Sequence, residues 1–197
     1  MGRSKIGEMN LKKHWIKRLI IFTLILIAFT IIIVSIFKAF VYPRKYKEIV
    51  EKAATKFGVD PNLVYAVIKQ ESKFNKTAIS KSAAKGLMQI MDDTAKDMVK
   101  DIDTIDEKNY NIYDPYTNIF IGTKYISYLI KHYEGNYYLA IAAYNAGLGK
   151  VDSWLDKPYS EYTDYTMVMD LIEYAETKNY LTSVITNYNN YIRLYQI

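Results

Sequence analysis

The sequence predicts an all-α protein in which one helical domain is preceded by a single N-terminal transmembrane helix. Three observations predict it. Leu19–Phe37 is a charge-free apolar run. Beyond Lys45, apolar residues recur at helical spacing between recognisable cap signals. No stretch shows the period-2 alternation of a strand, and no internal repeat is visible.

The N-terminal run reads LIIFTLILIAFTIIIVSIF, 19 residues without a charge. At about 1.5 Å per residue it nearly matches the roughly 30 Å hydrocarbon core of a bilayer. A buried core helix rarely stays apolar on every face for five turns. A cleaved signal peptide has a shorter apolar region and a small-x-small site. Ile36-Phe37-Lys38-Ala39-Phe40-Val41 offers none, so the run reads as an uncleaved signal anchor. Residues 1–18 form a basic tail, 19–37 the anchor, 38–44 a linker and 45–197 the helical domain. Of the 26 Lys and Arg residues, six precede Phe37 against one acid there, Glu8. By the positive-inside rule the tail is cytoplasmic and the domain extracytoplasmic, in a single-pass arrangement at the cell membrane.

The helical elements follow in order. Tyr46, Ile49, Val50, Ala53, Ala54 and Phe57 share a face, and Gly58 ends that helix. Asp60-Pro61 supplies an N-cap and a proline at the first helical position, followed by Leu63, Val64, Val67 and Ile68 on one stripe. A further helix starts near Asp92 or Asp93. Asp114-Pro115 opens a longer one, and Asn136 a short Ala-rich one to Ala143. Met167 to Tyr195 holds one or two more.

Composition excludes several functions. Beyond residue 37 the charges balance, so the basic pI belongs to the tail and no nucleic-acid footprint is expected on the domain. There is no cysteine, which removes disulfides, thiolate metal sites and Cys nucleophiles. Two histidines, His14 and His132, cannot build a His-rich metal site. No metal and no cofactor is expected.

Glu71 lies three residues after Ile68 and four after Val67, on the apolar stripe and near a helix C-terminus. Burial and the negative end of the helix dipole both raise a carboxyl pKa, as a general acid requires. Most helical glutamates are solvated, so Glu71 alone is weak evidence. Three other strings add to it. Gly86-Leu87-Met88-Gln89-Ile90-Met91 combines a permissive backbone, an amide and soft apolar surface. Ala142-Ala143-Tyr144-Asn145-Ala146-Gly147 ends a helix with polar tips among small residues. Glu176-Thr177 with Tyr180 is a polar cluster inside an apolar pattern.

In this order, Glu71-Ser72 and these three strings resemble the four signature blocks of the soluble lytic transglycosylase catalytic domain, which is lysozyme-like and similar to goose-type lysozyme. Asn118-Ile119 to Gly122, Tyr125-Ile126 and Gly147-Leu148-Gly149-Lys150-Val151 with Trp154 also look like that family. The resemblance covers about residues 45–195. It implies a lysozyme-like helical domain whose partner is the glycan strand of peptidoglycan, cut between N-acetylmuramic acid and N-acetylglucosamine. It implies Glu71 as catalytic acid and base, with Ser72 beside it and Tyr144 hydrogen-bonding it. Ser80, Gln89, Met91, Asn145, Glu176 and Tyr180 are implied as cleft residues. Asp92 and Glu173 stand where the family usually has proline.

Ordinary glycosidases use two carboxylates. The family is expected to use one, because the sugar's own C6 hydroxyl attacks and closes a 1,6-anhydro ring. Asp92 and Asp93 read as helix-start residues capping free N–H groups. If Glu176 instead positions a water, the enzyme is a hydrolytic muramidase. A non-catalytic glycan-binding scaffold is the reading from another class, and Glu71 on an apolar stripe argues against it.

Overall fold

The computed structural model describes the backbone of residues 3–195, with side chains from His14 onward. Its helices are α1 (Arg3–Val41), α2 (Lys47–Phe57), α3 (Pro61–Ser72), α4 (Asp92–Val99), α5 (Pro115–His132), α6 (Tyr137–Ala146), α7 (Leu148–Trp154), α8 (Tyr165–Leu171) and α9 (Ala175–Tyr195). A single 3-10 turn at Tyr159–Glu161 precedes α8. Among the described residues no strand forms. Two isolated bridges, Ile79 to Lys85 and Lys85 to Ile90, fold the loop between α3 and α4.

The chain divides into two units, residues 1–43 and 44–197. In the first, α1 carries an apolar section from His14 to Val41, 28 residues, long enough to cross a bilayer. The linker expected at 38–44 is therefore helical through Val41. Lys38 and its neighbours are compatible with helix, and the first break comes before Pro43, whose preceding residue is pushed out of the α region. Thr23, Thr30 and Ser35 donate their hydroxyls to the carbonyls of Leu19, Leu26 and Ile31 one turn back. Each polar group is thereby satisfied inside the helix, as an apolar surround demands.

In the second unit the caps explain the boundaries. Gly58 ends α2 in the left-handed conformation (φ 67°), returning its N–H to Ala54. The side chains of Asp60, Asp114 and Asn136 accept N–H groups at the starts of α3, α5 and α6. α3 departs from the stripe expected of it. Every residue from Asn62 to Ile68 is buried, Tyr65 and Ala66 included, so neighbours cover all its faces. It packs on α9 and α2, while α5 packs on α2 and α6, and α6 on α9. α9 turns Thr177, Tyr180, Leu181 and Val184 inward at the i, i+3, i+4, i+7 spacing of an amphipathic helix. The site forms where the covered helix α3 ends.

Candidate active site

Glu71 is the last residue but one of α3. Its carboxyl is pushed up from 4.5 to about 7, chiefly by burial. The Tyr180 hydroxyl, from the second turn of α9, donates to its Oε1 at 2.5 Å and partly offsets that rise. Near neutral pH the group is thus divided between acid and carboxylate. Burial lifts the pKa of Tyr180 well above the ordinary tyrosine value, and the nearby Glu71 charge adds to it. Tyr180 stays a neutral donor across the working range.

Tyr144 approaches from α6. Burial and then the charge of Glu71 raise its pKa too, which places it close to the carboxylate. Its hydroxyl, however, donates to the carbonyl of Met88 at 2.8 Å. The expected hydrogen bond from Tyr144 to Glu71 is replaced by the one from Tyr180. The physical reason is competition: an otherwise unpaired loop carbonyl lies in reach of Tyr144, and a buried carbonyl needs a donor.

Residues 78–91 form a loop held from several directions. Ser72 Oγ donates to Leu87 O at 2.7 Å, tying the end of α3 to it. Asn118, buried on α5, accepts from Met88 N at 2.8 Å and donates to the carbonyls of Lys85 and Ile112. Gly86 takes φ 78° against it. A Cβ there would come within 2.3 Å of Asn118 Nδ2, so only glycine fits. Gln89, at φ 48°, donates Nε2 to the carbonyls of Ala78 and Gly86. Asp92 does not cap α4; it pairs with Lys85 at 2.7 Å, and Met91 is the residue before the helix, with no side-chain cap. Asp93 reaches Lys96 at 3.4 Å.

A cleft of about 260 Å³ lies beside this loop, lined by Gln89, Met91, Thr94, Tyr125, Tyr144 and Asn145. Asn145 is held by the Thr177 hydroxyl at 2.8 Å. One turn of α9 therefore fixes Asn145 through Thr177 and Glu71 through Tyr180. The sequence pattern described as the transglycosylase SLT domain matches residues 48–167, which span α2 to the start of α8 and include Glu71, the loop and the cleft. The chain belongs to the transglycosylase SLT domain family. It is 33% identical over 153 residues to a soluble lytic murein transglycosylase of Salmonella typhimurium, covering 77% of this chain and 23% of that protein. It is 34% identical over 171 residues to membrane-bound lytic murein transglycosylase C of Edwardsiella ictaluri, covering 77% of this chain and 47% of that one. The X-ray structure of an inactive Glu-to-Gln mutant of lytic transglycosylase Slt from Pseudomonas aeruginosa superposes with a TM-score of 0.70 at 29% identity, covering 79% of this chain and 25% of that chain. The chain spans a quarter to a half of the length of these relatives.

Within this SLT domain the candidate residues separate into groups. Glu71, Tyr144 and Tyr180 come together, and Gln89, Met91 and Asn145 share the cleft. Ser72 serves the loop. Ser80 is exposed, and its Oγ accepts from Ala84 N at 3.0 Å within a turn. Glu176 is exposed in the first turn of α9, one residue before the buried Thr177. Among the described residues no group of three His, Asp or Glu side chains is placed to share a metal ion. The role of Asn118 is legible only as a lone amide on the buried face of α5, which must find partners. Tyr125 and Thr177 stand in the sequence as members of the Tyr125-Ile126 and Glu176-Thr177 strings, with no role of their own legible there.

Proposed function

We propose that this chain is a membrane-anchored peptidoglycan lytic transglycosylase with Glu71 as its single acid and base. The observation that carries the reading is the largely desolvated Glu71 carboxyl, raised to about 7, contacted by Tyr180 and close to Tyr144 of the cleft lining. A carboxyl poised near neutrality is what proton transfer to a leaving oxygen needs. The relatives described as lytic murein transglycosylases support the substrate, a β-1,4 glycan of muramic acid and glucosamine units. The relative described as an inactive Glu-to-Gln mutant supports a glutamate as essential.

Protonated Glu71 gives its proton to the glycosidic oxygen as the C–O bond to the anomeric carbon breaks. The substrate's N-acetyl group shares the positive charge. Glu71 is now ionised, and the Tyr180 hydroxyl stabilises it with a charge-assisted hydrogen bond. The carboxylate then removes the proton of the C6 hydroxyl as that oxygen bonds to the anomeric carbon, closing the 1,6-anhydro ring. An attacking group already joined to the substrate replaces an enzyme-held water. The proton returns to Glu71, and neither a metal nor a second carboxylate enters the cycle. Burial and one tyrosine set the state of Glu71, and Glu176 is exposed, which supports a one-carboxylate route.

The apolar helix α1 and the membrane-bound relative support anchoring, with the basic tail in the cytoplasm and the domain outside. Mass spectrometry of muropeptides released by the full chain from purified peptidoglycan tests the activity. The expected product carries anhydro ends, lighter by one water than hydrolysed ends. Dominance of the heavier, borohydride-reducible species would make the enzyme a muramidase and turn attention to Glu176.

A further inference from the structure

Away from the cleft, α3 and α9 enclose a groove of about 370 Å³. One wall carries Lys69, Gln70 and Lys73 from the end of α3, and the other carries Thr182, Ser183, Thr186 and Asn187 from α9. Every lining side chain is polar, two are cations and none is an acid. Thr182 is engaged already: its hydroxyl donates to the carbonyl of Lys178 at 2.8 Å and meets the Tyr165 hydroxyl at 2.8 Å. Among the described residues, the side chains of Gln70, Ser183, Thr186 and Asn187 enter no hydrogen bond, and Lys73 enters no ion pair. Hydroxyls, amides and an ammonium group therefore converge on one groove with their donors uncommitted.

The positive charge is regional. From Pro61 to Met91 the sequence holds Lys69, Lys73, Lys76, Lys81 and Lys85 against one acid, Glu71, whose carboxyl is held by Tyr180. Lys85 is paired with Asp92. From Thr177 to Ile197 there are Lys178 and Arg193 and no Asp or Glu. Both walls of the groove thus come from acid-poor segments of a domain whose charges otherwise balance. Lys69 is half-buried, and burial first and the charge of Lys73 second lower its pKa. Cations at a helix C-terminus answer its partial negative charge, but that is only about half a unit. Two ammonium groups exceed it, and no lining acid neutralises the remainder. A carboxylate would present two oxygens along one edge. A phosphate group presents oxygens in several directions and can take charge-assisted bonds from one wall and neutral ones from the other. The volume falls in the roughly 300–1,000 Å³ of small-ligand sites, which leaves room for an esterified group beside the phosphate.

We propose that the α3–α9 groove is a binding site for a phosphate ester, with Lys73 and Lys69 on its anionic oxygens and Ser183, Thr186 and Asn187 completing the hydrogen bonds. The groove shares no lining residue with the cleft. The site is therefore separate from the one that holds Glu71, and it stands whether or not the chain cleaves glycan.

The test uses the full chain in a phosphate-free nonionic detergent and a soluble phosphodiester, glycerophosphoglycerol, as the probe. Calorimetric titration at constant ionic strength, set with sodium chloride, is expected to show saturable binding. Lys73→Ala is expected to weaken it by roughly tenfold and Ser183→Ala by about threefold, while Lys73→Arg, which keeps the charge, retains it. A second readout follows the carbon-13 resonances of labelled lysine Cε atoms. A bound anion favours the charged form, so the Lys69 pKa rises when the probe is added. Absence of saturable binding, or binding indifferent to both Lys73→Ala and Ser183→Ala, would overturn the proposal. Reconstitution into phosphatidylglycerol vesicles then separates the sources of the phosphate. A raised Lys69 pKa with no added probe assigns the site to a lipid headgroup, and a rise only on adding glycerophosphoglycerol assigns it to a soluble phosphodiester. A Lys69 pKa that moves in neither case would reject the site.

Discussion

The start of α9 and the end of α6 each deliver a tyrosine to the neighbourhood of Glu71, yet the two hydroxyls end on different acceptors. Tyr180 donates to the carboxyl itself, and Tyr144 to the carbonyl of Met88 in the loop. One region therefore sets the charge of the reactive group. The other holds the wall of the cleft in place. Proximity to a catalytic carboxyl does not define a role; the acceptor of the hydroxyl does.

The largest expected effect removes what both regions surround. Glu71→Gln abolishes glycan cleavage, because the amide has no proton to give, and muropeptide release measures it. Stability moves the other way. The folded-state pKa of Glu71 is raised above its unfolded value, so its contribution is fully present below about pH 4.5 and is lost as pH rises through about 7. Above that pH the Gln variant melts higher than the parent, with a gain of at most about 3 kcal/mol. Denaturation at pH 5 and pH 8 checks the sign.

Tyr180→Phe probes the α9 side. The hydroxyl favours the ionised carboxyl, so its loss raises the Glu71 pKa and moves the alkaline limb of the pH–rate profile upward. Turnover falls by roughly tenfold to a hundredfold, following the ~1.5–3 kcal/mol of a hydrogen bond to a charged group. A profile that stays in place would show that Tyr180 only packs.

Asn118→Ala probes the loop without touching either tyrosine. It strands the buried Met88 N–H and the carbonyl of Ile112, while Lys85 O keeps the N–H of Ile90 at 2.9 Å. A loss of about 3 kcal/mol in denaturant unfolding is expected. Tyr144→Phe gives the smallest effect, about 1 kcal/mol of stability from the single carbonyl it leaves unpaired. It leaves the alkaline limb where it was, in contrast to Tyr180→Phe. A shifted limb in the Tyr144 variant would erase the distinction between the two regions.

The helix framework was legible because caps are local. Asp60-Pro61, Asp114-Pro115, Asn136 and Gly58 each act within one turn of chain, and each marks a boundary in the structure. α7 is not legible as a helix, because Leu148–Trp154 is only seven residues and carries a glycine. The position of Glu71 at the end of α3 followed from spacing. The full enclosure of α3 did not, because Tyr65 and Ala66 are covered by distant elements. The loop at 78–91 was least legible. Its left-handed Gln89 and the amide bonds that Gln89 and Asn118 make depend on carbonyls far away in sequence. A polar side chain in a sequence announces a need for partners without naming them, and Gln89, expected in the cleft, lines it and also braces the loop.

The central claim is that burial holds Glu71 as a proton carrier near neutrality. The direct measurement is a carbon-13 NMR titration of the full chain labelled at the glutamate carboxyl carbons, with Glu71 assigned as the resonance missing from the Glu71→Gln variant. The account predicts a midpoint at about 7, moving higher in Tyr180→Phe. A midpoint near the ordinary 4.5 would contradict it, since the group would then be ionised throughout the working range and would have no proton to deliver.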